Sequence, residues 1–238
     1  MNVRKSGFAG LALLALLAGC AEPVRPTDDA ARVDAQVSAV AANSRTAKRD
    51  FLAVVERFRT VSYRLDVDAD LTGGKRFRAT GAHDPKTRRF TRTVQTDGRT
   101  TNVVIAGKEI YVRTGSEQWI HADKVADSLS TLDVDDPSGL AAFGKALNWI
   151  DPAGPHAFKG AFDPMAERIL PVGAPGLIAI GMGGGSFTAT TDDAGNLTSV
   201  VVTLETTTGT STMTSRFSAF GKPAKVTVPK NAAEGTLL

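Results

Sequence analysis

The sequence has little of what enzymes and metal proteins commonly use. Its 238 residues include one cysteine, so no internal disulfide can form. Its only histidines are His83, His121 and His156, and no two of them have the spacing of metal ligands. It has no Walker A loop, no dinucleotide-binding fingerprint and no nucleophile elbow. We therefore expect a protein without catalysis, metal or cofactor.

The chain also lacks a long hydrophobic run. The uncharged segment 6–17 is about half of the ~20 residues that span a bilayer as a helix. It follows Arg4 and Lys5 and precedes the small residues Ala18 and Gly19. This arrangement is typical of a secretory signal peptide and predicts one at 1–19, cut before Cys20.

The chain has little excess charge of either sign. Its formal net charge is +3, from 28 basic and 25 acidic residues. Because Arg4 and Lys5 fall in the signal peptide, the mature part is close to neutral. Nucleic-acid binding needs clustered positive charge, so we do not expect a nucleic-acid partner.

Residues 17–20, Leu-Ala-Gly-Cys, resemble a bacterial lipobox. That resemblance implies lipidation of Cys20 with a diacylglycerol and further acyl chains such as palmitate. The protein would then lie on the extracytoplasmic face of the cell membrane, and acyl chains on one residue would hold it stably. The alternative is an ordinary secretory signal with an incidental cysteine. We expect a lipidated tether at 20–32 and one domain at 33–238.

Periodicity predicts an N-terminal helix followed by a sheet. From Val33 to about Arg59 the apolar spacing is helical, with a potential break at Asn43 and Ser44. From Val61 to Leu71 apolar and polar residues alternate, which predicts a half-buried strand. Short strands and turn residues then recur as far as Trp119, which indicates an antiparallel sheet.

The middle and the end of the chain read differently. The pattern predicts helices at 122–132 and 138–149, with a turn and N-cap at 135–138. The prolines between 152 and 175 predict an irregular segment. The glycines at 183–185 predict a flexible hinge or turn. Three strands near 186–191, 197–205 and 210–220 follow, with a short one at 225–228.

Three polar clusters have plain interpretations. The residues that follow Asp66, Asp68 and Asp70 do not match a calcium-binding loop, so we expect these aspartates on the solvent-exposed face of a strand. Asp133, Asp135 and Asp136 are expected in a solvated turn. Arg88, Arg89 and Arg92 are expected on a solvated strand, where they could also meet anionic head groups.

Two stretches carry a family resemblance. Residues 103–112 read Val-Val-Ile-Ala-Gly-Lys-Glu-Ile-Tyr-Val, and residues 217–223 and 226–229 read Phe-Ser-Ala-Phe-Gly-Lys-Pro and Val-Thr-Val-Pro. With the helix, the meander and Trp119, this pattern resembles actinobacterial lipoproteins of the LppX/LprG type, which are similar in fold to LolA and LolB. The resemblance implies an α+β fold, in which a strongly curved antiparallel half-barrel is wrapped over a helical layer. The hollow between them would hold the acyl chains of a lipid or glycolipid.

We therefore expect a non-catalytic, membrane-anchored lipid-binding or lipid-transport lipoprotein of the cell envelope. Strand phase gives the candidate cavity residues Tyr63, Leu65, Val67, Phe77, Val104, Ile110 and Val112, with Leu177, Ile178 and Ile180 at the mouth. An envelope transporter is a candidate partner, and we expect a monomer. The alternative is a surface sensor, adhesin or accessory module with a filled core and no lipid cargo.

Overall fold

The computed structural model describes residues 28–124, 135–164 and 182–236. The chain divides into two compact units, Met1–Ser38 and Ala39–Leu238. Of the first unit, residues 28–38 are described, and they are helical. The predicted signal peptide, Cys20 and residues 20–27 of the tether lie outside the described residues. None of the described helices is long and apolar enough to cross a membrane.

A single helix, α1 (Asp28–Phe58), precedes the sheet. Its buried residues Ala47, Phe51, Val55 and Phe58 recur at intervals of three and four, as on one face of a helix. The predicted helix is thus confirmed, but the break at Asn43 and Ser44 does not occur. The Ser44 hydroxyl instead donates to the backbone carbonyl of Ile150, at 2.8 Å.

The described strands belong to two runs. The first run is β1 (Tyr63–Leu71), β2 (Lys75–Asp84), β3 (Arg89–Thr96), β4 (Arg99–Ala106), β5 (Glu109–Thr114) and β6 (Ile120–Lys124). The second run begins with the short helix α2 (Leu140–Lys145) and continues with β7 (Leu147–Gly154), β8 (Ala157–Phe162), β9 (Met182–Thr191), β10 (Leu197–Thr206), β11 (Gly209–Ser218) and β12 (Ala233–Thr236).

Turn residues join the strands of the first run as the sequence predicts. Asp97 and Gly98 both have positive φ, 48° and 77°, as the tight hairpin between β3 and β4 requires. The turn at Gly107 joins β4 to β5. The short strands and their turns in the first half are therefore confirmed.

All twelve described strands form one curved, unclosed sheet in the order β12-β6-β5-β4-β3-β2-β1-β11-β10-β9-β8-β7. Neighbours are antiparallel except for β12 and β6, which are parallel. The described fold is thus α+β, as expected, with one parallel pair that the sequence did not predict. Strand β7 is one free edge, where Lys48 Nζ of α1 lies 3.2 Å from the carbonyl oxygen of Leu147. This bond satisfies one of the backbone groups that an edge strand leaves unpaired.

Several predictions for the middle of the chain are wrong. Residues 122–124 are strand rather than helix, and residues 125–134 lie outside the described part. The helix expected at 138–149 is confined to α2, because the chain enters β7 at Leu147. Gly139 is its N-cap, one residue beyond the predicted 135–138. Asp136, inside that turn, accepts with a carboxylate oxygen from the amides of Ala141 and Ala142, at 3.0 and 3.1 Å. The supposed hinge 183–185 lies in β9.

The chain after β11 crosses the sheet to its other edge, and we call residues 219–236 the C-terminal strap. At its start the Ser62 hydroxyl donates to the carbonyl of Lys222, at 2.7 Å. Farther on, the Arg89 guanidinium contacts the carbonyl of Val226, at 3.4 Å. The strap ends as β12, with the Ala233 amide bonded to the Trp119 carbonyl. The strand predicted at 225–228 is not present, and β12 was not predicted.

Candidate functional site

The two faces of the sheet differ in character. The side chains that share a face with Val67 are mostly apolar, and α1 packs on this face, which we call the helix face. Ten strands, β1–β5 and β7–β11, contribute buried apolar residues to a single core on this face. The opposite face, which we call the outer face, carries mostly charged residues, threonines and serines on β1–β3 and β9–β11.

Six of the seven predicted strand residues lie on the helix face. Tyr63, Leu65, Val67 and Phe77 are each only 1–2% exposed. In β5, Val112 is buried and Ile110 is partly buried against the same core. The regular pairing of β1 with β2, Val67 opposite Ala79, keeps these side chains in phase. Strand alternation therefore predicted their orientation correctly.

Val104 is the exception, and its predicted orientation is wrong. It pairs with Thr91 and Tyr111, whereas its neighbours Val103 and Ile105 point to the helix face. Val104 is buried nevertheless, on the outer face and outside the main core. Three consecutive β-branched residues, 103–105, conceal the phase of the strand, which explains the error.

Aromatic rings attach α1 to the sheet. Phe58 lies 4.8 Å from Tyr63 and 4.7 Å from Phe217, between ring centroids. Phe51 lies 5.5 Å from Phe158 and 5.6 Å from Phe187. Through these rings α1 contacts β1, β11, β8 and β9. Edge-to-face aromatic pairs contribute about 0.5–1.5 kcal/mol beyond area burial.

A buried polar group lies at one end of the helix face. Tyr63 hydrogen-bonds with Ser138, and its ring lies 5.1 Å from the buried ring of His83. Burial raises the pKa of the Tyr63 phenol above its usual value of 10, and the nearby Asp136 adds to this; the bond with Ser138 acts in the opposite direction. Ser138 and His83 carried no sequence signal that would connect them with Tyr63.

Arg92 is on the helix face, which the sequence analysis did not anticipate. It lies between Phe90 and Val94 in β3, pairs with Gly81 across the strands, and is 1% exposed. Burial lowers its pKa from 12.5 to about 10, so the side chain remains cationic at neutral pH. The expectation of a solvated strand is wrong for Arg92. Its spacing of two residues from both Phe90 and Val94 places it on the same face of the strand, and this spacing could have predicted its burial.

The outer face has a polar groove next to the strap. The groove has a volume of about 720 Å³. Strands β1, β2 and β3 supply Arg64, Asp66, Thr80, Ala82, Thr91 and Thr93, and the strap supplies Pro223, Ala224 and Lys225.

A charged cluster lies on the outer face where β5, β6 and β12 meet. His121 Nδ1 is 2.9 Å from Glu234 Oε1, and Nε2 contacts Glu109. The imidazole is also stacked on Tyr111, at 4.8 Å between ring centroids. Hydrogen bonds to Glu234 and then Glu109 raise the pKa of His121 above 6.5. Within the described ranges no group of three or more His, Cys, Asp or Glu residues could hold a metal ion.

Some of the predicted site residues lie outside the described part of the chain. Leu177, Ile178 and Ile180 lie outside the described residues, as does Cys20. Their proposed roles at the mouth of a cavity and in lipidation therefore stay predictions.

No protein-family model and no curated protein matches the chain. The solved structures with a remote likeness include the following two. An uncharacterized conserved protein from Thermus thermophilus is 11% identical over 79% of this chain and 98% of its own, with a TM-score of 0.35. A DUF1329 family protein from Desulfovibrio piger is 10% identical over 76% and 95%, with a TM-score of 0.32. Likenesses this remote carry no functional argument, and the resemblance to LppX/LprG and LolA stays a prediction.

Proposed function

We propose that this chain is a membrane-anchored, extracytoplasmic lipoprotein that binds or carries a lipid or glycolipid without catalysing a reaction. The acyl chains lie against the helix face of the curved sheet, and lipid on Cys20 holds the protein at the membrane. In this proposal the fold is of the LolA type.

The observation that carries the proposal is the mismatch in width between the apolar face and the helix. Ten strands contribute to the core. At ~4.8 Å between neighbours they extend over roughly 45 Å. An α-helix with its side chains is about 10–12 Å across, so α1 can cover only a few strands. The remainder of the apolar face is buried in the described structure, and we propose that it opens to take up long hydrocarbon chains.

The chemistry of this face supports acyl chains rather than a polar ligand. The predicted strand residues on this face present mainly hydrocarbon surface: Tyr63, Leu65, Val67, Phe77, Ile110 and Val112. Burial of apolar surface is worth about 25 cal/mol per Å², less the cost of ordering the ligand. Such binding depends on area rather than on a particular head group. It therefore suits a carrier that must also release its cargo.

The test is lipid analysis of protein purified without its anchor. The chain from Ala21 onward is exported with a non-lipoprotein signal, purified without detergent and extracted with organic solvent. Mass spectrometry should find one lipid class enriched over the same protein delipidated by refolding. If neither the purified protein nor protein incubated with cell-envelope lipids retains any lipid, the proposal fails.

A second function is favoured by one specific observation. The core residues on the helix face are almost fully buried, with Val67 at 1% exposure. A filled core of this kind is what a surface sensor, adhesin or accessory module would need. The two functions differ in what a large side chain at Val67 would do to lipid transfer and to stability.

A further inference from the structure

The C-terminal strap is held to the sheet at its far end by few contacts. Strand β12 has four residues and pairs only with β6 among the described strands. Three contacts besides this ladder are the Ala233 amide with the Trp119 carbonyl at 2.8 Å, the Gln118 amide with the Asn231 carbonyl at 3.3 Å, and Glu234 with His121. A parallel pair this short contributes little alone, and the ionic contact, whose two carboxylates are exposed, adds to a weak attachment.

The ionic contact depends on a single titratable cation. His121 of β6 stands between Glu109 of β5 and Glu234 of β12, so its ring bridges the sheet and the strap. From β5, Tyr111 stacks on the ring and Arg113 is the next outward residue, over the Trp119 ring. When protonated, both ring nitrogens donate to carboxylates. When neutral, one nitrogen loses its proton and faces a carboxylate as an acceptor, which is repulsive.

We propose that His121, Glu109 and Glu234 form a pH-sensitive clamp that fastens the C-terminal strap and releases β12 when the imidazole loses its proton. The proposal is independent of lipid binding.

The direction of the pH effect follows from the carboxylates. They raise the pKa of His121 in the folded chain above its value of 6.5. A raised pKa means that the clamp stabilises the attached strap fully below about pH 6.5, and that this stabilisation is lost as the pH rises through the folded pKa. Release therefore occurs on the alkaline side of the ordinary histidine range.

Release would change the outer face. The strap borders the polar groove through Pro223, Ala224 and Lys225. Val226 is buried, and its carbonyl is 3.4 Å from the Arg89 guanidinium of β3. The strap thus runs along the outer face beside β3. Detachment from the β12 end would open the groove and expose Val226.

Trp119 provides a reporter for this release. The chain has two tryptophans, so in full-length protein carrying Trp149→Phe all indole emission comes from Trp119. Trp119 accepts a backbone bond from the strap and lies 4.8 Å from the Arg113 guanidinium. Its emission is followed from about pH 5.5 to about pH 9.5, on either side of the ordinary histidine pKa.

We expect one emission transition with a midpoint above pH 6.5. In the same background His121→Gln should abolish the transition, and His121→Arg should hold the low-pH spectrum throughout, because guanidinium does not titrate in this range. A chain that ends at Lys230 should give the high-pH spectrum at every pH, which defines the released state even if a His121 variant folds poorly. His156→Gln, a change at an exposed histidine paired with Asp193, is the control and should leave the transition intact.

The proposal is overturned if the parent protein shows no transition in this range, or if the transition survives in His121→Gln. It is also overturned if the truncated chain retains the transition, because the signal would then report another group.

Discussion

The ring of Phe162 lies directly against the backbone of its cross-strand partner Gly185. A Cβ atom at residue 185 would lie 2.4 Å from Cζ of Phe162. The glycine therefore makes room for an aromatic side chain that is 2% exposed and belongs to the core. This is why the glycine run 183–185, whose sequence suggests a hinge, lies in a strand.

Gly185→Ala should therefore destabilise the protein, and Gly184→Ala should not. Nothing lies within 4 Å of a Cβ at Gly184, and neither glycine has positive φ. Overpacking at Gly185 should cost about 1–3 kcal/mol, against a change within about 1 kcal/mol at Gly184. Urea unfolding of both variants measures the difference. Equal stabilities would show that the Phe162 ring moves aside freely.

The helix should be held to the sheet chiefly by its buried rings. Phe51 is fully buried among Phe143, Phe158 and Phe187, whereas its neighbour Leu52 is 37% exposed. We expect Phe51→Ala to lower the free energy of unfolding by about 3–5 kcal/mol, and Leu52→Ala by much less. Guanidinium unfolding of the two variants tests this. A larger loss in Leu52→Ala would mean that α1 is packed on a different face.

Tyr63 should make the fold sensitive to alkali. Because burial raises its pKa in the folded state above the unfolded value of 10, its phenolate forms preferentially in the unfolded chain. The stability that it contributes is complete below about pH 10 and is lost as the pH rises beyond it. Phenolate absorbance should show Tyr63 ionising only with unfolding, and Tyr63→Phe should lack that late component. A reversible early ionisation that disappears in Tyr63→Phe would contradict this burial.

Cys20→Ala should yield an unlipidated protein that is full-length or differently cleaved. The lone cysteine ends the lipobox-like segment 17–20, so under the proposed function no other thiol can take the diacylglycerol. Metabolic labelling with radioactive palmitate or glycerol distinguishes the two forms. Label in the variant at the level of the parent would exclude lipidation at Cys20.

Alternation made most of the sheet predictable. Val61–Leu71 alternates cleanly, and the structure has a strand there with the expected buried phase. Prediction failed where several apolar residues follow one another, as at 103–105. Without alternating polar residues, such a run does not show which side chains face the core. It also failed at Arg92. A charged residue is usually exposed, but the position of Arg92 in the strand alternation places it on the buried face.

Contacts between distant segments were not predictable. The clamp joins Glu109, His121 and Glu234, and the last two are 113 residues apart in the chain. Tyr63 of β1 and Ser138 of the turn before α2 are also far apart in the chain. Local periodicity does not predict contacts of this kind. The first one depends on the strand order, which places β12 beside β6.

Lipid transfer by Val67→Trp tests the central claim most directly, with Val201→Trp as the matched control on the outer face. The assay follows a fluorescent phospholipid between donor and acceptor vesicles, and a thermal melt accompanies each protein. If acyl chains occupy the helix face, Val67→Trp should lose transfer while keeping most of its stability, and Val201→Trp should keep both. If the face is a close-packed core, the large side chain should cost about 1–3 kcal/mol or more. A parent protein that transfers no lipid, together with a strongly destabilised Val67→Trp, would contradict the carrier function and leave the filled-core module.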